Sequence, residues 1–184
     1  MRVISGIYGG RILKSPSGTR TRPTSDRLRE TLFNILVPQI DEETRFLDLC
    51  AGTGAIGIEA ISRGSGHVTF VDKARKACAL IEENLDSLGI PESATEVVCS
   101  EALKFLQKSP ETSWDIIFFD PPYAADYAGV LEAVGGRSSG VLAPDGALVV
   151  EHHSKNDLPD AAGEIRRWRL IKQGETCLSF YEHN

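Results

Sequence analysis

Five short apolar runs recur along the chain, separated by segments whose apolar residues are spaced three or four apart. The runs are compact and largely unalternating, as expected of strands covered on both faces. Strands are predicted at 44–50, 67–72, 95–100, 114–120 and 146–152. Helices are predicted between them at 55–63, 73–89, 101–108 and 126–134. This βαβ succession predicts an α/β fold with a mostly parallel sheet.

Both ends of the chain lie outside this succession. Residues 164–173 and 176–183 flank Gly174 and predict a hairpin that is at least partly antiparallel to the sheet. Residues 1–20 predict a small hairpin and a loop. A helix then begins after a cap at Thr24 or Ser25, and its predicted apolar face consists of Leu28, Leu32, Phe33, Ile35 and Leu36. The pattern predicts one domain over residues 1–184, with residues 1–40 as an N-terminal extension.

Charge is unevenly distributed along the chain. The 184 residues carry a net charge of −6, yet residues 1–29 hold seven Arg or Lys against Asp26 alone. Residues 1–29 therefore carry a net charge of +6, and the remaining 155 residues carry a net charge of −12. A basic arm on an acidic body is typical of a polyanion-binding extension, and a solvated basic segment is the alternative.

Several classes of protein are disfavoured by composition. No stretch approaches the roughly 18 apolar residues of a membrane span, and the N-terminus lacks the apolar run of a secretory signal, so a cytoplasmic protein is expected. The cysteines form no CxxC pair and are expected to be small buried hydrophobes rather than metal ligands: Cys50, Cys78, Cys99 and Cys177. None of the four histidines falls in a motif, so none is assigned a catalytic role.

A glycine loop lies where the first predicted strand meets the first predicted helix of the βαβ succession. Its pattern is Gly52-x-Gly54-x-x-Gly57, in which absent side chains let a ligand approach the backbone at a helix N-terminus. A dinucleotide site and a purely structural turn share this pattern.

Two acids lie near the loop, and only the first of them, Asp48, distinguishes the ligands, because either cofactor would offer a ribose to Asp72. Asp48, four residues before Gly52, would repel a pyrophosphate but attract a ligand that carries an ammonium and a sulfonium. Asp72, at the end of the next strand, is placed to accept both hydroxyls of a ribose. Amino acid, positive sulfur and ribose together describe S-adenosyl-L-methionine.

With these features the chain resembles the class I S-adenosylmethionine-dependent methyltransferases. The resemblance implies a Rossmann-like, seven-stranded, mostly parallel sheet with an antiparallel C-terminal strand. It also places Glu101, in the turn after the third strand, near the adenine. The residues expected to contact the cofactor are Asp48, Ala51, Gly52, Thr53, Gly54, Asp72, Lys73, Glu101, Ala102 and Asp120.

A double proline ends the fourth predicted strand, where proline can neither extend the ladder nor start a helix turn cheaply. The segment Asp120-Pro121-Pro122-Tyr123 matches the motif with which this class methylates exocyclic nitrogens. Such a nitrogen is a poor nucleophile, because its lone pair is delocalised into the base. The Asp120 carboxylate and the Pro121 carbonyl would hold its two N–H bonds, and Tyr123 would stack on the base.

The N-terminal extension narrows the resemblance to the RsmD family, bacterial 16S ribosomal RNA guanine-N2 methyltransferases. Its segment 22–34, "RPTSDRLRETLFN", matches the family position by position, and similarity covers essentially the whole chain. The resemblance implies 16S ribosomal RNA as partner, naked or within an assembled small subunit with ribosomal proteins. It implies RNA contacts by Arg11, Arg20, Arg22, Thr24 and Arg27. Residues 166–169 would add phosphate contacts, with Trp168 expected in the core.

Other functions stay open at this point. DNA adenine and protein glutamine N-methyltransferases can use the same motif. The choice of guanine rests chiefly on the family resemblance, with partial support from its N1–H and N2 amino groups, which are both donors. A nucleic-acid-binding module without turnover and a nicotinamide oxidoreductase are the alternatives from other classes.

Overall fold

A twisted sheet forms the centre of the protein in the computed structural model, which describes residues 1–16, 25–108, 112–122, 126–136 and 140–184. Within these residues the sheet has eight strands, in the order β3-β2-β1-β4-β5-β8-β7-β6. The strands are β1 Arg45–Leu49, β2 His67–Asp72, β3 Thr95–Cys99, β4 Trp114–Phe119, β5 Leu142–His153, β6 Ala161–Ala162, β7 Ile165–Gln173 and β8 Thr176–His183.

The strand prediction is confirmed for the parallel half and for the terminal hairpin. Strands β1 to β5 pair in parallel, and β8 pairs antiparallel with both β5 and β7. The sheet has one strand more than the seven expected. The additional strand is β6, which pairs over only two residues and is too short to show any periodicity in the sequence. Strand β5 begins four residues earlier than predicted, beyond an irregularity in its pairing with β4.

Helices cover both faces of the sheet. They are α1 Asp26–Leu36, α2 Ala55–Ser62, α3 Arg75–Leu88, α4 Ala102–Lys108 and α5 Tyr127–Gly135. Alternate residues of β1 point to opposite faces, so Phe46 packs in the core beneath α1, α2 and α3 and Leu47 in the core beneath α4 and α5. No helix in the described ranges is long and apolar enough to cross a membrane.

Ser25 is the cap of α1, since its side chain accepts a hydrogen bond from the Leu28 N–H at 3.2 Å. The alternative cap, Thr24, lies outside the described residues. The predicted apolar face of α1 is buried except for Ile35, which is half-buried. Arg29 is buried as well, and its guanidinium donates to the Arg2 carbonyl at 2.8 Å. Helix α1 is thereby fixed to the start of the chain.

Two predictions of burial are wrong in part. Cys78 and Cys177 are buried, but Cys50 is half-buried and Cys99 is exposed, because both lie where strands leave the sheet for loops. Trp168 is not a core residue, since 40% of it is exposed. The pairing of β7 with β8 shifts between Arg167 and Arg169, and this bulge turns Trp168 outward near the edge of the sheet.

The N-terminal hairpin closes through a bridge between Arg2 and Ile12 and docks on α2. Glu59, fully buried in α2, accepts the N–H of Ile4 at 2.7 Å and of Ser5 at 3.0 Å. The same carboxylate accepts from Arg63 Nε at 2.8 Å. A buried carboxylate is tolerated only when donors surround it, so Glu59 makes the hairpin part of the folded body.

We expect Glu59→Ala to lower the free energy of unfolding by on the order of 3–5 kcal/mol, since it leaves two amides and the Arg63 guanidinium without their acceptor. The Ile4 and Ser5 amides should exchange hydrogen much faster than in the wild type. Urea unfolding and amide hydrogen exchange measure the two effects. The matched control is Glu30→Ala on the exposed face of α1. Unchanged protection of these amides would show that other contacts hold the hairpin.

Candidate active site

A cavity of about 1120 Å³ opens at the carboxyl ends of the parallel strands. It lies beside β1 and β4, where the strand order reverses and α/β sheets leave a crevice. Its walls come from the glycine loop, the ends of β2 and β5, residues 120–122 and the N-terminal extension. The extension contributes Met1, Pro16, Ser25, Leu28 and Arg29. The extension therefore forms part of the site.

Each glycine of the loop has a physical reason for its place. Gly52 and Gly54 have φ values of 59° and 76°, in the left-handed region that side chains disfavour. A Cβ on Gly57 would lie 2.3 Å from Phe70 Cε1, so only glycine lets α2 pack this closely on β2. Cys50 adopts φ 62° without being a glycine, which marks local strain at the start of the loop.

Asp48 lies beneath the glycine loop rather than in the cavity wall. Only 2% of it is exposed, and its carboxylate accepts the Gly57 N–H at 2.9 Å. Burial raises the pKa of Asp48 to about 7, opposed by the Gly57 hydrogen bond and reinforced by the charge of Asp72. Asp48 fixes the loop from behind, and its field reaches the cavity through the loop.

Asp72 lines the cavity and holds the other side of the loop. One carboxylate oxygen accepts the Gly52 N–H at 3.0 Å, and the other accepts the Ala74 N–H at 2.8 Å. A carboxylate oxygen accepts more than one hydrogen bond, so both oxygens keep capacity for ligand hydroxyls.

Asn84 joins the glycine loop to the N-terminal extension, a role that sequence reasoning missed. Fully buried in α3, it donates from Nδ2 to the carbonyls of Thr53 at 3.0 Å and Lys14 at 3.2 Å. Its Oδ1 accepts the Lys14 N–H at 2.8 Å. The available signal was a polar residue on the apolar face of α3, between Ile81 and Leu85.

Asp120 and Glu151 form an acidic corner of the cavity. Phe119 pairs with Val150 in the parallel register, so the next residues along the two strands, Asp120 and Glu151, are neighbours. The Asp120 N–H donates to the Leu49 carbonyl at 3.3 Å, which places the corner beside the start of the glycine loop. Burial, the charge of Glu151 and the charge of Asp48 raise the pKa of Asp120 well above its ordinary value.

The structure brings seven of the predicted site residues to the cavity: Ala51, Gly52, Thr53, Asp72, Asp120, Pro121 and Pro122. Five others do not line it. Asp48 and Gly54 are buried under the loop, while Lys73, Glu101 and Ala102 follow β2 and the edge strand β3, farther from the switch point. Glu101 is exposed and pairs with Lys104 at 3.1 Å. Contact of these five with a ligand stays a prediction.

The residues predicted to bind RNA lie on the extension. Arg11 is exposed on the hairpin and Arg27 is exposed on α1. The predicted residues Arg20, Arg22, Thr24 and Tyr123 lie outside the described residues.

Sequence reasoning missed the cavity wall formed by β5 and the terminal hairpin. Its residues are Glu151, His152, His153, Gln173 and Thr176. Burial lowers the pKa of His152, whose Nε2 lies 2.9 Å from Ser179 Oγ. The signal was an acid and two histidines at the carboxyl end of a predicted parallel strand, the end at which ligands bind.

Comparisons with known proteins agree on the family. The family described as Conserved hypothetical protein 95 matches residues 1–182. YlbH of Bacillus subtilis is 39% identical over 184 residues, covering 99% of this chain and 98% of that protein. The Escherichia coli protein named Ribosomal RNA small subunit methyltransferase D is 34% identical, covering 99% of this chain and 89% of its own. The resemblance to the RsmD family is confirmed.

Solved structures confirm the class I methyltransferase fold. The Escherichia coli protein yhhF superposes with a TM-score of 0.85 at 31% identity, covering 100% of this chain and 98% of its own. The protein SMU.776, in a complex with SAH, has a TM-score of 0.67 at 14% identity, covering 83% of this chain and 48% of its own, and shares the fold.

We expect Asp48→Asn to change the pH dependence of stability. Because the pKa of buried Asp48 is about 7, against an ordinary value near 4, the folded state binds its proton more tightly than the unfolded chain. This stabilisation is complete below about pH 4 and is lost as the pH rises to about 7. Asparagine cannot ionise but keeps an acceptor for Gly57. The wild type should therefore lose about 2–4 kcal/mol relative to Asp48→Asn across that range.

Urea unfolding at a series of pH values measures this difference. The control is Asp145→Asn, which removes an exposed carboxylate near the start of β5, at the end of that strand opposite the cavity. Parallel curves for the wild type and Asp48→Asn would contradict the prediction.

Proposed function

The chain belongs to the family described as Conserved hypothetical protein 95, and we propose that it transfers a methyl group from S-adenosyl-L-methionine to the N2 amino group of a guanine in 16S ribosomal RNA. One observation carries the proposal: the glycine loop and the Asp120–Pro122 corner line the same cavity. A cofactor on the loop and a base at the corner would then face each other. The name of the Escherichia coli relative supports small-subunit ribosomal RNA as the substrate class.

The charge around the cavity supports a cationic cofactor. Asp72, Asp120 and Glu151 line it, and Asp48 lies directly beneath the loop. These carboxyls would repel the pyrophosphate of a nicotinamide dinucleotide and attract a ligand with an ammonium and a sulfonium. Gly52 and Thr53 would approach the amino acid part, and Asp72 would accept the ribose hydroxyls. When bound, S-adenosyl-L-methionine supplies the methyl group on its positive sulfur.

The Asp120 corner would prepare the amine. The Asp120 carboxylate and the Pro121 carbonyl accept its two N–H bonds, which draws the nitrogen towards tetrahedral geometry with its lone pair facing the methyl group. Pro121 and Pro122 fix the direction of the backbone here, because proline locks φ. No base is needed before transfer, since the product cation loses its proton readily. Tyr123, outside the described residues, would stack on the base.

Glu151 supports guanine over adenine. Guanine presents N1–H beside its N2 amino group, whereas adenine presents an N1 lone pair beside its amino group. Glu151 is the neighbour of Asp120 and lines the cavity, so its carboxylate would accept the N1–H while Asp120 holds the amino group. Burial and the charge of Glu151 raise the pKa of Asp120, and an edge made of donors would relieve the repulsion between the two carboxyls.

RNA would approach over the N-terminal extension, which forms one wall of the cavity. Arg11 and Arg27 are exposed there and suit phosphate contacts, which position RNA without reading its sequence. Ribosomal RNA as the substrate implies that the protein acts in the cytoplasm, on naked RNA or on an assembled subunit with its proteins.

We expect Asp120→Ala to lower kcat by at least roughly 100-fold and to leave the affinity for S-adenosylhomocysteine nearly unchanged, because the side chain serves the reacting nitrogen. Transfer of labelled methyl to 16S ribosomal RNA and calorimetry measure the two quantities. Asp145→Ala, which removes an exposed aspartate near the start of β5, is the control. Undiminished turnover would remove Asp120 from the mechanism.

The role of Glu151 is tested by changing the acceptor on the protein to a donor and the N1 donor of the base to an acceptor. We expect Glu151→Gln to lower kcat/KM for guanine by about 10-fold or more, since one charge-assisted hydrogen bond is lost. RNA with 2-aminopurine at the target position keeps the N2 amino group but presents an N1 acceptor. The wild type should methylate the 2-aminopurine RNA less efficiently than the guanine RNA. The amide of Glu151→Gln can donate to the N1 acceptor, so this variant should show a smaller difference between the two RNAs. An unchanged ratio between the two bases would contradict N1 recognition by Glu151.

A further inference from the structure

The bulge in β7 creates an exposed aromatic and basic surface on the sheet face that α1 covers farther in. Arg167 pairs with Tyr181 and Arg169 with Phe180, so Trp168 has no pairing partner of its own. A bulge of this kind places two consecutive side chains on one face. Trp168 and Arg169 both lie on the Phe180 side, and Arg166, opposite Glu182, lies on the same side. We call Arg166, Trp168 and Arg169 the β7 platform.

One side of Trp168 packs on the protein and the other side is exposed to solvent. Its ring lies 5.5 Å from the Phe180 ring at 55°, and Phe180 is fully buried. The Arg169 guanidinium lies 6.0 Å from the Trp168 ring centroid, at the outer limit of a cation–π contact. Since 40% of Trp168 is exposed, an aromatic face remains available while the ring is held in place.

The charge of this strand stands out from the acidic body. Of the 13 Arg and Lys residues after position 29, four lie between Arg166 and Lys172. Arg167 is paired with Asp160, and Arg166 lies 3.6 Å from Glu182. Arg169 has no carboxylate partner within the described part of the chain. An aromatic face beside an unpaired guanidinium is the combination that binds single-stranded nucleic acid, by base stacking and by phosphate pairing.

We propose that the β7 platform binds a single-stranded segment of the RNA substrate, with a base stacked on Trp168 and a phosphate held by Arg169. This inference rests on the proposed function and extends it to a second contact outside the cavity. A second copy of the chain is the less suitable occupant, because two such basic surfaces would repel each other.

The platform is within reach of the same RNA molecule that enters the cavity. Gln173, at the end of β7, lines the cavity, and Trp168 precedes it by five residues on the same strand. At about 3.3 Å per residue the separation is roughly 16 Å along the strand. A strand of RNA with phosphates about every 3.4 Å along a stacked helix covers that length in roughly five nucleotides.

The tryptophan content allows a direct test. The protein has two tryptophans, and Trp114 is 2% exposed in the core. In a Trp114→Phe background, all tryptophan fluorescence comes from Trp168. We expect a 16S ribosomal RNA transcript to quench this emission and to protect it from acrylamide, and a single-stranded oligonucleotide to do so better than its duplex. Emission that is insensitive to RNA, at concentrations where the protein is bound, would overturn the proposal.

Variants separate stacking from charge. Trp168→Ala should weaken RNA binding by about 5- to 100-fold, and Trp168→Phe, which keeps a flat ring, should restore most of the loss. Arg169→Ala should also reduce the slope of log affinity against log salt by about 0.7, the value for one phosphate of a single strand. Arg45→Ala, exposed at the start of β1, is the matched control. Both Trp168→Ala and Arg169→Ala should keep the wild-type affinity for S-adenosylhomocysteine and the wild-type unfolding temperature. A change in either would show that a folding defect causes the loss of RNA affinity.

The outcomes for the platform and for the enzyme are distinguishable. If the wild type methylates the transcript but Trp168→Ala and Arg169→Ala bind it as tightly as the wild type, the platform is wrong and the proposed function stands. If the wild type neither binds nor methylates RNA, both fall. Protection of Trp168 that rises with protein concentration in the absence of RNA would assign the surface to a second copy and overturn RNA binding.

Discussion

Carboxyl groups converge at one end of the sheet, and the rest of the site depends on that convergence. Parallel pairing brings the ends of β1, β2, β4 and β5 together, and each supplies an acid: Asp48, Asp72, Asp120 and Glu151. Buried like charges are unstable without partners, which the raised pKa values of Asp48 and Asp120 express. The fold satisfies two of these acids with backbone N–H groups of the glycine loop. A cationic cofactor and a donor-rich base would offer further partners to Asp120 and Glu151.

The same loop connects the cavity to the N-terminal extension. Asn84 bonds the Thr53 carbonyl on one side and both backbone groups of Lys14 on the other. Glu59, in the helix that the loop begins, holds the hairpin through two further amides. A ligand that orders the loop therefore acts on a structure that is continuous with the wall over which RNA would approach. Cofactor site and extension form one packed unit rather than a catalytic core with an independent arm.

Sequence patterns predict the elements well and the cavity only in part. Strands β1, β2 and β4 and the second half of β5 are buried on both faces and form compact apolar runs, whereas the edge strand β3 is only partly buried. The glycine positions follow from the turn and from close packing. Glu151 and Asn84 were not predicted, because their importance comes from strand register and tertiary contact, which leave no local pattern. Trp168 was misassigned for a related reason. A single bulge reverses the direction of a side chain, and alternation alone does not reveal where a bulge occurs.

A protein that binds a polyanion with an acidic site has to keep its site carboxyls apart from the cations that contact phosphate. Here the site carboxyls lie deeper in the molecule than those cations. The acids of the site lie inside the cavity or beneath the loop. The buried Arg29 also lines the cavity. Arg11 and Arg27 on the extension and Arg169 on β7 are among the exposed cations, at the outside of the molecule. RNA phosphates would meet Arg11, Arg27 and Arg169 first, and only a base released from its helix would reach the acids. Phosphates would be repelled from a cavity that a neutral, donor-rich base edge can enter, so this charge arrangement would select which part of the nucleotide reaches the methyl group.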